Sequence, residues 1–185
     1  MKDDINIDEI LATINGRSLE EYRREMDFRN EIHAKSLKYL NKNSSEWPPI
    51  NFNWDVSIES QRFSLDGTKK EEFLKYYPEG FSLGYVALSE LDSVLCHYSR
   101  RDEGELWELG CSSKLASLIV YLSEGHPIAP PLVKPLEDCS EVIFQGGHHR
   151  YAIAKEIGER NIPIHVEPQF KNKIDLLLKV SWKNT

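Results

Sequence analysis

The residues with the most chemical content lie together. From Val142 to Val166 the chain reads VIFQGGHHRYAIAKEIGERNIPIHV: a strand-like run, two glycines, then a helical stretch. Gly146 and Gly147 permit backbone geometry that a side chain would block, and they let a ligand approach closely. The first turn of the following helix presents N–H groups that the helix itself does not use, at the positive end of its dipole. Such a turn receives anions. His148, His149 and Arg150 crowd it, where a cation is disfavoured by ~0.3–1 kcal/mol and Asp or Glu is usual. Three potentially cationic side chains set against a dipole make sense if a polyanion lies between them. Phosphate is the commonest, and Arg150 can grip it through two parallel hydrogen bonds. The competing reading pairs Arg150 with a nearby acid and leaves the histidines as polar packing.

Other groups are weaker. Glu90 and Asp92 follow a short strand-like run, Tyr85–Leu88. A carboxylate there would bind Mg²⁺ or act as a base beside a polyphosphate, or would be one of two solvated turn acids. Glu90 is the preferred catalytic carboxylate, with His149 as phosphate contact or acid–base group. Cys111, Cys139, His148 and His149 match no zinc spacing, and no CxxC occurs, so zinc is not expected. His126 is a loop histidine or a site-lining one. Arg100 and Arg101, flanked by Asp102, Glu103 and Glu105, read as a solvated, self-paired loop.

The elements that must position these residues follow from patterning. Residues 7–14 read as a short helix ended by Gly16. Ser18 and Glu21 form a capping box for a charged helix reaching about residue 41. The Pro48-Pro49 pair then stops helical structure, and residues 43–80 read as an irregular connection with one helix, 69–77. Trp47, Trp54, Phe63 and Phe73 are expected to pin this segment onto the rest. From Gly84 strands and helices alternate: a helix over 114–124, an extended 126–133, a strand over 141–145, a helix over 148–157 and a strand over 161–167. Residues 174–180 fit either a helix or a strand. The pattern predicts an α/β (α+β) protein, with a core over 81–185 and an N-terminal helical extension over 1–80.

The 185 residues carry a net charge of −7, with 40% apolar and 29% charged residues, a globular balance. Residues 1–79 carry net −4, residues 80–140 net −5 and residues 141–185 net +2, so an anion site belongs in the last segment. The overall acidity excludes a protein that coats nucleic acid with its whole surface. No apolar run is long enough to span a membrane. The acidic start argues against a secretory signal, and three widely spaced cysteines point to reduced thiols in a cytoplasmic protein.

GGHHR, its small-residue helix, Gly158 and the NIPIHV strand resemble the signature of the ParB/sulfiredoxin superfamily. VALSEL at 86–91 resembles that family's first strand and turn, and EGHPIAPPLV at 124–133 the stretch preceding its motif. The resemblance spans about residues 84–168. It implies a small mixed-sheet fold whose motif helix cradles nucleotide phosphates. Members include partition proteins that use CTP, sulfiredoxins that use ATP, a free-serine kinase that uses ADP, and stand-alone nucleases or ATPases. Gly146, Gly147, His149 and Arg150 match the phosphate-contacting turn. His148 stands where sulfiredoxin has its catalytic cysteine, so that chemistry is not expected. The paired histidines are closer to the kinase-like form of the motif than to the partition form. The 17 residues after 168 are too few for a DNA-reading domain. The resemblance therefore implies a binder of ATP, CTP or ADP with Mg²⁺. Its expected chemistry is hydrolysis or phosphoryl transfer, or nuclease action in DNA maintenance. The alternatives are a non-catalytic interaction module, or a small-metabolite kinase. Residues 1–80 are expected to meet DNA or a partner protein, the helix from Leu19 to about Asn41 forming the docking surface.

Overall fold

A computed structural model describes residues 6–65, 67–108, 110–138 and 140–183. Helices α1 to α7 cover Ile7–Ile14, Leu19–Ser36, Lys70–Tyr76, Leu88–Val94, Ser112–Ser123, His148–Glu156 and Lys171–Ile174. Strands β1 to β7 cover Asn53–Trp54, Ser82–Ala87, Pro127–Ile128, Leu132–Pro135, Val142–Gly146, Asn161–Val166 and Ser181–Trp182. The chain has the mixed α/β character its pattern predicts.

Five strands form the main sheet, in the order β5-β4-β6-β2-β7. The β4–β6 pairing is parallel and the others are antiparallel. Strand β6 lies at the centre, and Ile162 to Val166 are all buried. A strand covered on both faces needs such a continuous run. Strand β2 alternates instead, with Val86 buried and Tyr85 exposed.

Helix α6 is the internal helix of the fold. Arg150, Tyr151, Ala152, Ile153 and Ala154 are all buried. One side packs Tyr151 and Ala154 into the sheet core with Leu91, Leu95 and Ile164. The other packs Ile153 against Leu115, Ile119 and Leu122 of α5. Burying one such aliphatic side chain contributes about 1.5–3 kcal/mol.

Residues before 80 are built into this core. Trp47 is buried with Leu115, Ile119 and Ile153, and its indole N–H donates to the Lys42 carbonyl at 3.0 Å. Strand β1 pairs in parallel with β3. Phe73 packs with Phe81 and Leu132. Trp54 is partly buried against the sheet core. Phe63 departs from expectation: it is 44% exposed and stacks beneath Arg62.

Helix α2 has the capping box read from the sequence, with Ser18 Oγ accepting from the Glu21 N–H at 3.2 Å. It lies along α5. Ile32 and Ser36 are its buried residues, and Glu25–Arg29 and Glu31–Lys35 pair along it. Helix α1 exposes Ile7, Ile10 and Ile14. Two features were not anticipated: α4, where a turn was expected, and the C-terminal apolar run 174–180, which after Ile174 is a turn and an irregular stretch between α7 and β7.

Candidate functional site

The GGHHR turn joins β5 to α6, and a cavity of about 620 Å³ opens there. Its wall includes Gln145, Gly146, Gly147, His148, His149 and Arg150. Tyr98 and Arg101 come from the α4–α5 connection, Lys114 and Leu118 from α5, and Ile128 from β3. The first helical bond of α6 runs from the Tyr151 N–H to the Gly147 carbonyl at 3.0 Å, so the N–H groups of residues 148–150 precede the ladder.

Helices α1 to α4 all carry acids in their first turn, as dipole energetics favours. Helices α5 and α6 carry none, and neither does the four-residue α7. Lys114 occupies the first turn of α5; His148, His149 and Arg150 occupy that of α6. Both turns reach the same cavity. Arg101 brings a further cation, and no carboxylate among the described residues lines the wall. Positive potential is concentrated here in a chain that is acidic overall.

Arg101 was expected in a solvated loop. It is only 7% exposed, and burial lowers its pKa, though guanidinium starts high enough to stay charged. Arg100 behaves as expected and pairs with Asp102 at 2.9 Å. Sequence cannot say which of two adjacent arginines turns inward. Lys114 carried a legible signal, a cation in a first helical turn.

Arg150, expected as a bidentate phosphate clamp, donates to protein carbonyls. Nη1 donates to the carbonyls of Ala129 at 3.0 Å and Pro130 at 3.1 Å, and Nη2 donates to the Phe63 carbonyl at 2.7 Å. Its head ties the 61–65 turn and the Pro130-Pro131 stretch to α6 while adding charge at the wall. The glycines are likewise fixed by packing. A Cβ on Gly146 would run into the Ser64 carbonyl oxygen. Gly147 has φ +99°, and a Cβ there would lie 2.7 Å from Pro131 Cα. The close approach that the glycines permit is one of backbone to backbone.

His148 and His149 both stand at the wall. His148 Nε2 lies 3.5 Å from Ser99 Oγ, which accepts from the Phe144 N–H at 3.0 Å. His149 Nε2 lies so close to Gly110 that a Cβ there would be 3.1 Å away. Gln145 Oε1 is buried and has no hydrogen-bond partner among the described residues.

Glu90 does not line the cavity; it sits in the first turn of α4, where its carbonyl accepts from Ser93 Oγ. Asp92 is a structural acid. Lys155 donates to its two oxygens at 2.8 and 2.9 Å, and the Tyr151 hydroxyl donates to Oδ1. Burial first, and then this carboxylate, push the Tyr151 pKa well above its ordinary value. His126 stands edge-to-face with Phe28 and tilted against Tyr121, and approaches Glu124 at 3.4 Å.

The expected Mg²⁺ finds no carboxylate ligand at this wall, and no cluster of three His, Cys, Asp or Glu side chains suits a metal among the described residues. The side chains here do not fit a protein-held magnesium. Of the set weighed for zinc, Cys139 lies outside the described residues. Cys111 caps α5, exposed, with its Sγ 3.1 Å from Ser113 Oγ.

The arrangement can bind a polyanion, and the two histidines can exchange protons with it. No protein-family model, no curated protein and no solved structure matches this chain.

Proposed function

We propose that this protein binds the phosphates of a nucleoside di- or triphosphate in the cavity at the start of α6. The observation that carries the reading is one cavity at which two acid-free helix starts meet, with Arg101, Lys114 and Arg150 beside them and no carboxylate among the described residues of the wall. The ParB/sulfiredoxin-like GGHHR turn supports the same ligand class. His149 is the proton-transfer group for hydrolysis or phosphoryl transfer, and Glu90 has no part in the site. Such a role belongs in the cytoplasm, where these nucleotides are.

No helix among the described residues is long and apolar enough to cross a bilayer.

The test is calorimetric titration with ATP, ADP, CTP, GTP and tripolyphosphate. Lys114 is exposed, so Lys114→Glu perturbs the charge without emptying the core. Reversing one charge near a polyanion is expected to weaken binding about tenfold, less at high salt. The reading fails if neither nucleotide nor tripolyphosphate binds the wild-type protein at millimolar concentration.

A further inference from the structure

A second cavity, of about 590 Å³, lies between α2 and α5. It adjoins the first: Lys114, Leu118 and Ile128 belong to both walls. Its chemistry is different. Phe28 and Ile32 of α2 face Leu118 and Tyr121 of α5 across it. Phe28 is 37% exposed, and its ring stands edge-on to His126 at 5.0 Å and to Tyr121 at 6.3 Å. Glu25, Arg29, His33, Ser113 and Ser117 add polar groups to this largely apolar wall, and Arg29 pairs with Glu25.

We infer that this second cavity holds the base and sugar of the nucleotide whose phosphates lie at the α6 turn, so that α2 supplies the nucleoside pocket. The inference rests on the phosphate reading above and names the rest of that ligand. Three observations carry it. The cavities adjoin, with Lys114, Leu118 and Ile128 in both walls, so a ligand that reaches past these side chains can occupy both. Their characters are complementary along that line, cationic at one end and aromatic at the other, as a nucleotide is. Helix α5 sets the spacing: Lys114, Leu118 and Tyr121 recur at i, i+4 and i+7 on one face, roughly 10 Å end to end at 1.5 Å per residue. That span suits a phosphate-to-base separation. The volume lies in the range of small-ligand sites, which are apolar with a few placed polar groups. Helix α2 precedes the stretch that resembles a known family, so this pocket is a property of this chain.

On this inference α2, expected to dock a partner, walls the nucleoside pocket.

The test uses the full chain and measures affinity for ATP, CTP and tripolyphosphate in the wild type, Phe28→Ala and Phe28→Trp. Loss of one base-stacking aromatic is expected to weaken the preferred nucleotide about tenfold or more. Tripolyphosphate affinity should stay unchanged, and Phe28→Trp should retain nucleotide affinity. Transferred nuclear Overhauser effects between base protons and the Phe28 and Tyr121 rings of the wild type give a readout that needs no variant to fold. Unchanged nucleotide affinity in Phe28→Ala, equal loss of nucleotide and tripolyphosphate, or absent base-to-ring effects in a bound complex would each overturn the inference while leaving the phosphate site standing. So would a dimer that Phe28→Ala dissolves without touching nucleotide affinity. If the wild type binds no nucleotide at all, the phosphate reading itself is wrong and the pocket falls with it.

Discussion

Replacing Arg150 by alanine separates a ligand clamp from a structural strut. Arg150 is 9% exposed and its described bonds reach three carbonyls, of Phe63, Ala129 and Pro130. Pro130 keeps a donor in Ser64 Oγ at 2.9 Å, so Phe63 and Ala129 bear the loss. A hydrogen bond from a charged donor contributes about 1.5–3 kcal/mol, and two such losses make roughly 3 kcal/mol at the low end. That is a large share of the ~5–15 kcal/mol that holds a protein of this kind folded. At ~2–4 °C per kcal/mol for a chain of this size, the melting temperature should fall by roughly 6–12 °C. Urea unfolding and differential scanning calorimetry both read this. Arg150→Lys should recover part of it, since an ammonium can reach one carbonyl but cannot fork to all three. A second readout is built in. The positive charge of Arg150, after burial, holds the His165 pKa down, so Arg150→Ala should raise it. A variant that melted within about 2 °C of wild type and lost all nucleotide binding would refute the strut and restore the clamp.

His165 is wholly buried, and its pKa is lowered to about 4, first by burial and then by Arg150. Its unfolded value is ~6.5, so between pH 6.5 and about 4 the unfolded chain binds the extra proton. Its contribution is therefore full above pH 6.5 and lost as pH falls to about 4, amounting to about 3 kcal/mol; the stability difference between wild type and His165→Asn should shrink correspondingly over that window, and a pH-independent difference would contradict it. Hydrogen bonding to Ser113 lowers the Cys111 pKa at the exposed start of α5, whereas Cys96 is buried. Iodoacetamide should label Cys111 well before Cys96 in native protein, with nucleotide slowing the reaction; equal labelling rates would count against this placement.

Much of the fold was legible because local rules governed it. The Ser18–Glu21 box set the start of α2, and Gly125 and Gly158 followed the ends of α5 and α6 closely. The NIPIHV run was read as a strand, and its central place in the sheet came only from the pairing with β4 and β2. Helix α4 was missed because Leu88–Val94 is seven residues long and its N-cap has no side-chain hydrogen bond. The C-terminal run 174–180 was ambiguous because after Ile174 it is neither helix nor strand, so it carries no periodicity to read.

At the site, the sequence by itself determined where to look. Two glycines and three cationic types at one helix start conflict with dipole energetics, and that conflict is local. Tertiary structure decided what each residue does. Gly146 and Gly147 are required by Ser64 and Pro131, which are distant in sequence. Arg150 is engaged by carbonyls 20, 21 and 87 residues away. Arg101 and Lys114 join the cavity through packing, and Glu90 stays outside it. Helix α2 reads as a solvated charged rod, because its inward stripe is narrow and only α5 reveals what that stripe faces. Residue type and spacing fix local conformational preference and charge; which distant groups neutralise, bury or expose that charge is set by three-dimensional proximity.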